Sequence, residues 1–168
     1  MVAKTVSRLV GVPVMTSELR LKKYHGDGSV TDYGVVGHKV VTTAGVGYIV
    51  DAFQNLVEAE NMKYHGFGTG TTAEASGDTG LVTELTTEYV VDNTRPTGTT
   101  TEGASANIYR TVATLDPDAD VAITEHGIFS ASSAGVLLDR TKFSAINLSG
   151  AGGDTLEATY DLTFTAGG

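Results

Sequence analysis

The chain has 168 residues, a formal net charge of −9, 25 Thr, 21 Gly and no Cys or Trp. The length suits one domain with a core of its own. The lack of Cys excludes a disulfide scaffold, a Cys-ligated zinc site and a thiol nucleophile, and the acidic balance argues against a nucleic-acid-binding surface.

The charge is unevenly spread. Residues 1–39 hold six basic and three acidic side chains, net +3; residues 40–168 hold five basic and seventeen acidic ones, net −12. A basic front on an acidic body orients a molecule on a partner surface. Thr suits a pleated, half-exposed face and Gly suits turns, so their excess predicts a β-rich fold. Charged residues make up only 18%, and a surface of Thr, Ser and Gly points to work inside an assembly.

In chain order, residues 1–18 read as an extended arm with Lys4, Val6, Arg8, Val10, Val12 and Val14 as candidate partner-binding side chains. Pro13 bars a central-strand or helical role, and such an arm pairs with its own body or with a neighbour. The run from Leu9 to Met15 is too short and too broken by Gly11 and Pro13 to span a membrane. It has no signal-peptide cleavage pattern, so the expected site of synthesis is a cytoplasm. Residues 19–24 alternate as a strand does, residues 25–28 form a turn, residues 29–34 a polar loop or short strand, and residues 35–41 a further strand.

One amphipathic helix is expected at about 43–60. Its apolar stripe is Val46, Ile49, Val50, Phe53, Leu56 and Val57, and its polar face carries Asp51, Gln54, Asn55 and Glu58. Thr42 or Thr43 caps its start. Gly45 and Gly47 weaken the first turn by about 1 kcal/mol each, and allow close packing on a sheet. Residues 62–68 return to strand. The echo of Lys23-Tyr24-His25-Gly26 in Lys63-Tyr64-His65-Gly66 is a repeated local solution, not a solenoid repeat.

Residues 69–80 form a long polar loop of the kind that a function or a covering partner explains. Residues 81–91 favour strand, and residues 93–105 form a second Thr/Gly-rich connection. Residues 107–115, 121–130 (interrupted by Gly127) and 136–148 read as strands. The alternation of Leu156, Ala158, Tyr160, Leu162 and Phe164 with polar residues predicts an antiparallel strand with one buried face. The expected architecture is a single antiparallel β-sandwich, Greek-key or jelly-roll-like, over residues 19–168.

The search for chemistry yields no catalytic, cofactor-binding or metal residues. The run Gly66 to Thr71 lacks the Lys of a phosphate loop and the last Gly of a dinucleotide fingerprint. Asp116, Asp118 and Asp120 begin like a calcium loop, but Val121 and Gly127 stand where that loop needs Gly and Glu. His25, His38, His65 and His126 show no metal-binding spacing. Ser105 lacks a nucleophile elbow. Glu84, Glu88 and Glu125 are candidate carboxylates for glycoside chemistry, in a chain without Trp to build a sugar platform. A carbohydrate-binding module would rely on Tyr24, Tyr33, Tyr48, Tyr64, Tyr89 and Tyr109.

Three stretches carry a family resemblance: His65-Gly-Phe-Gly-Thr-Gly-Thr-Thr72 with Ser76 to Leu85 and Arg95; Ile123-Thr-Glu-His-Gly-Ile-Phe129 with Gly135 to Arg140 and Phe143; and Gly153 to Leu156 leading into Tyr160 to Phe164. Over residues 62–168 the chain resembles small virion structural proteins of tailed bacteriophages. The resemblance implies a sandwich that decorates a particle, either as a capsid decoration (cement) protein or as a tail, baseplate or fibre component. One small domain with a basic arm and an acidic body favours cement. Its implied partners are the major capsid protein and copies of itself, as a homotrimer on the outer capsid surface, with no enzyme activity, cofactor, nucleic acid, membrane or small-molecule substrate. Within the sandwich, Glu84 with Arg95, or Glu125 with Arg140, is expected to form an internal ion pair between the polar loops; left exposed, each pair would be worth under about 1 kcal/mol.

Overall fold

The computed structural model describes residues 14–38 and 40–166. It is mainly β, with two antiparallel sheets packed as a sandwich and one helix. The five-stranded sheet runs β2 (Val30–His38), β1 (Val14–Tyr24), β9 (Thr155–Thr165), β6 (Ile108–Leu115), β5 (Thr99–Glu102). The four-stranded sheet runs β3 (Val40–Val41), β8 (Leu137–Leu148), β7 (Val121–Phe129), β4 (Tyr64–Gly68).

The centre of the larger sheet is where the sequence alternates most cleanly. Leu19 pairs with Tyr160, which pairs with Thr111; Leu21 pairs with Ala158, which pairs with Ala113. All six are buried, because side chains two apart on a strand share a face. Leu19, Leu21 and Ala158 join a core cluster with Phe67, Ile123, Ile146 and Leu148 of the smaller sheet, and Tyr160 joins a second one with Ile128 and Leu138. The outer face carries the ion pairs Arg110–Asp161, at 2.6 Å, and Arg20–Glu18.

The sheet takes in part of the expected arm. β1 starts at Val14, so residues 14–18 belong to a central strand, with Ser17 buried. Lys4, Val6, Arg8, Val10 and Val12 lie outside the described residues. The expected loop or short strand at 29–34 is the first part of β2. β7 runs unbroken through Gly127, and β5 forms inside the expected 93–105 connection. Residues 81–91 make no strand ladder, only isolated bridges from Glu84 to Gly68 and from Tyr89 to Pro117. Their apolar residues Leu85 and Tyr89 are nonetheless buried in the core.

The helix α1 is Thr43–Phe53, shorter than expected. Thr42 Oγ1 caps it by accepting from the Gly45 amide at 2.9 Å. It ends because Asn55 takes a left-handed φ of 58°, which lets the Leu56 amide reach the Asp51 carbonyl and the Asn55 amide reach the Ala52 carbonyl, both at 3.0 Å. This reversal satisfies the last carbonyls, and Asn tolerates it better than most residues. A short 3₁₀ turn follows at Ala59–Asn61.

The buried face of α1 also differs from the expected stripe. Gly45 and Tyr48 are buried and Ile49 and Ala52 half-buried, while Val46, Val50, Phe53 and Leu56 are exposed. Gly45 and Ala52 have little or no side chain to signal hydrophobicity, so the apolar pattern pointed about one residue away from the true contact. At Gly45 a Cβ would lie 2.6 Å from the Leu138 carbonyl oxygen, so the helix rests on the β8 backbone. Gly45→Val is expected to lower stability by about 1–3 kcal/mol through overpacking, read as a fall in denaturant midpoint; an unchanged midpoint would show that the helix lifts off β8 at no cost.

Candidate functional site

The polar residues of this chain converge on the side of the smaller sheet that faces away from the larger one. On β4, His65 and Phe67 point into the sandwich, His65 reaching Thr111 on β6. Gly66 and Gly68 therefore point outward. There, a Cβ on Gly66 would strike Phe129, and one on Gly68 would lie 2.7 Å from the Glu125 carboxylate. The outward face at β4 is thus bare backbone, and the 69–85 segment lies directly on it.

Glu125 holds that segment in place. Its carboxylate, fully buried, accepts from the amides of Gly70 at 3.0 Å, Val82 at 3.1 Å and Thr83 at 2.8 Å, and from Arg140 Nε at 2.8 Å. Arg140, also fully buried, spreads the rest of its guanidinium over Asp78 at 2.9 Å, the Thr72 carbonyl at 2.8 Å and the Ala73 carbonyl at 3.3 Å. Burial opposes the charge of Arg140, but hydrogen bonds and attraction from Asp78 and Glu125 outweigh it and raise its pKa. Asp78 is held below the usual carboxylate range: burial works against this, but the Ala75 amide and Arg140 prevail.

A second clamp holds the 131–134 turn. Arg95 makes a two-pronged ion pair with Glu84, donates to the Ala131 carbonyl at 2.9 Å and to that of Ala134, and stacks 3.5 Å above the Phe129 ring. The planar guanidinium suits this combination of fork and stack. Glu84 with Arg95 and Glu125 with Arg140 are therefore both paired. The 69–80 loop, of the kind that a function or a covering partner explains, is tied down on its own sheet.

Sequence reasoning missed three other polar groups in the interior. Ser17 and Tyr160 both donate to Asp139, Tyr160 at 3.2 Å. His65 lies 3.0 Å from His126 and 3.1 Å from Thr111, and burial pushes its pKa down to about 3, leaving the ring neutral. At the end of β1, Lys23 turns inward to Asp154 at 2.7 Å and the Asn147 carbonyl at 2.8 Å. Asp154 is drawn down to about 2 by Lys23 first, and by the Ser149 and Gly26 amides. The buried end of a long strand is the only signal for Lys23, and it needs the partner sheet to read.

Of the residues considered for other chemistry, His65 and His126 come together, 3.0 Å apart. Among the described residues no group of three or more His, Asp or Glu gathers as a metal site. Of the tyrosines considered for a sugar platform, Tyr24 and Tyr33 are exposed, Tyr89 is buried, and Tyr48 and Tyr109 line one apolar groove. Tyr48 donates to the Glu58 carbonyl at 2.7 Å, Tyr89 is buried and accepts from the Phe67 amide at 2.9 Å, and Tyr109 donates to the Met62 carbonyl at 2.6 Å. Burial raises the Tyr109 pKa to about 12. No helix among the described residues is long and apolar enough to cross a membrane. A search of protein-family models finds no match to this chain, and neither does a search of curated proteins.

Proposed function

We propose that this chain is a structural protein of a tailed-phage virion, a capsid decoration protein that binds the outer surface of the head and stabilises the shell. The observation that carries this reading is the root of the basic segment. Residues 1–13, with Lys4 and Arg8, precede a β1 paired along all eleven of its residues with β9 in the middle of the larger sheet. A pull on that segment is borne by a central ladder, not by a loop. The clamped loops add support: Glu125, Arg140, Glu84 and Arg95 spend their charges inside the body. In this reading the segment contacts the major capsid protein or a neighbouring copy, and several such contacts around a symmetry axis, as in a homotrimer, combine into tight binding. Binding to the expanded shell alone would stabilise it by mass action.

The test is to mix purified protein with undecorated heads and image the particles. Density at symmetric sites on the head is expected. Bare heads would overturn the decoration reading, and binding to tails instead would favour a tail or baseplate component. Removal of residues 1–13, stopping short of β1, is expected to leave the melting temperature of the body within about 3 °C and to weaken head binding at least tenfold. Equal binding by the truncated chain would reject the role given to the segment.

A further inference from the structure

The side of α1 that faces away from the body carries no charge. Its exposed residues are Thr43, Ala44, Val46, Gly47, Val50 and Phe53, and the one charged residue of the helix, Asp51, is half-buried. Val46, Val50 and Phe53 follow at four and three residues and are 41%, 49% and 84% exposed; Leu56, just past the helix end, is 68% exposed. That spacing is the seam along which one helix packs on another. Phe53 also lines an almost wholly apolar groove of about 250 Å³ between α1 and the larger sheet, and Phe164 lines it with Phe53. The apolar surface thus extends from the helix to β9.

We propose that this face binds a second copy of the same chain, with two α1 helices packed antiparallel across a two-fold axis at Val50. The first support is area. Val46, Val50, Phe53, Leu56 and Phe164 together expose on the order of 450 Å² of apolar surface, a size that on a single domain marks a contact site. A standard interface buries about 800 Å² per partner, and in homodimers about 65% of it is apolar. The α1 face supplies most of that apolar part, and a two-fold presents the same face from both copies.

The second support is Gly47, which lies on this exposed face in helical conformation. A Cβ there would meet nothing within 4 Å among the described residues. Neither packing within the chain nor backbone conformation requires Gly, which weakens a helix. A second helix at close range does require it, because the separation of two helices is set by the side chains at their contact. The third support is the order of sizes along the helix. Across a two-fold at Val50, antiparallel helices bring level the residues equally far from it on either side. Gly47 comes level with the partner's Phe53, so the most exposed ring meets the gap left by the missing side chain. In a parallel pair or a three-fold ring each residue comes level with its own copy, which crowds the Phe53 rings and leaves the Gly47 layer empty. The antiparallel order also sets the positive end of each helix beside the negative end of the other. This inference does not rest on the decoration reading, and a failure to bind heads leaves it standing.

The lack of native Cys makes the test direct. Packed helix axes lie about 8–10 Å apart and each Cα about 2.3 Å off its axis, so the two Val50 Cα atoms come within about 4–5 Å, inside disulfide reach. Val50→Cys under mild oxidation is therefore expected to convert most of the chain to a disulfide-linked dimer. Gln54→Cys should not cross-link, because its two copies lie about 12 Å apart along the axes. Cross-linking at Gln54 as complete as at Val50 would mean parallel helices and overturn the proposal. Cross-linking at Val50 no greater than for Thr114→Cys, exposed on the outward face of the larger sheet, would also overturn it. The unmodified chain is expected to sediment as a dimer at about 100 µM and to dissociate on dilution. A monomer at that concentration, the result if a different partner covers α1, would reject the second copy as occupant. Phe53→Glu alters an exposed ring, so the circular dichroism spectrum should stay the same while the dimer dissociation constant rises at least fiftyfold. An unchanged constant would place the contact elsewhere and reject the α1 face.

Discussion

Arg140→Met is expected to lower the melting temperature by roughly 10 °C and to expose the 69–83 segment to proteases. Arg140 and Glu125 are both fully buried and 2.8 Å apart. Truncating one partner of such a pair leaves the other charge buried without compensation, a loss of about 3–5 kcal/mol. For a domain of this size each kcal/mol shifts the melting temperature by about 2–4 °C. Met fills much of the space left by the Arg stem, so the effect reports the lost charge and hydrogen bonds. Asp78 and the carbonyls of Thr72 and Ala73 lose their donor in the same step. Cleavage should therefore appear first between residues 72 and 82. The double variant Arg140→Met with Glu125→Gln should recover part of the loss, since the orphaned charge is gone and the Gln oxygen still accepts from backbone amides. A fall of under 2 °C for Arg140→Met would show that the pair is dispensable.

Stability is expected to fall as the pH drops from about 6.5, and the cause is His65. Its folded pKa is about 3 against 6.5 for a free imidazole, because burial disfavours the charged ring. Between those values the unfolded chain takes up a proton that the folded chain does not. The contribution is therefore fully present above about pH 6.5 and is lost as the pH falls toward 3. One proton corresponds to a slope of about 1.4 kcal/mol per pH unit, so roughly 3 kcal/mol is lost by pH 4.5. Asp154 and Asp78, whose pKa values are lowered in the fold, add their own loss below about pH 4. Urea midpoints at pH 7, 5.5 and 4.5 measure the slope. His65→Asn keeps a polar group toward Thr111 without the titration and should flatten the curve between pH 6.5 and 4.5. An unchanged slope in that variant would assign the acid sensitivity elsewhere.

Where the chain alternates strictly, as at residues 155–165, the strand, its buried face and its antiparallel setting are legible because burial of one face imposes period two on the residues. The residues at positions 84, 95, 125 and 140 were legible as candidates for ion pairs between the polar loops, and the structure pairs them. The segment 81–91 was not. Its Leu85 and Tyr89 are core residues, but Glu125 takes the amides of Val82 and Thr83 that a ladder would have used.

Taken alone, the sequence determined the β class, the single helix and its cap, the basic front and acidic body, and the strands whose own pattern carries their burial. The tertiary structure alone decided the face and end of the helix, the site of β5, the inward turn of Lys23 and the neutral state of His65. These depend on contacts between residues far apart in the chain: Gly45 on Leu138, Lys23 on Asp154, His65 on Thr111. Local propensity and periodicity record only which face of an element is apolar, not which distant backbone or charge will lie against it.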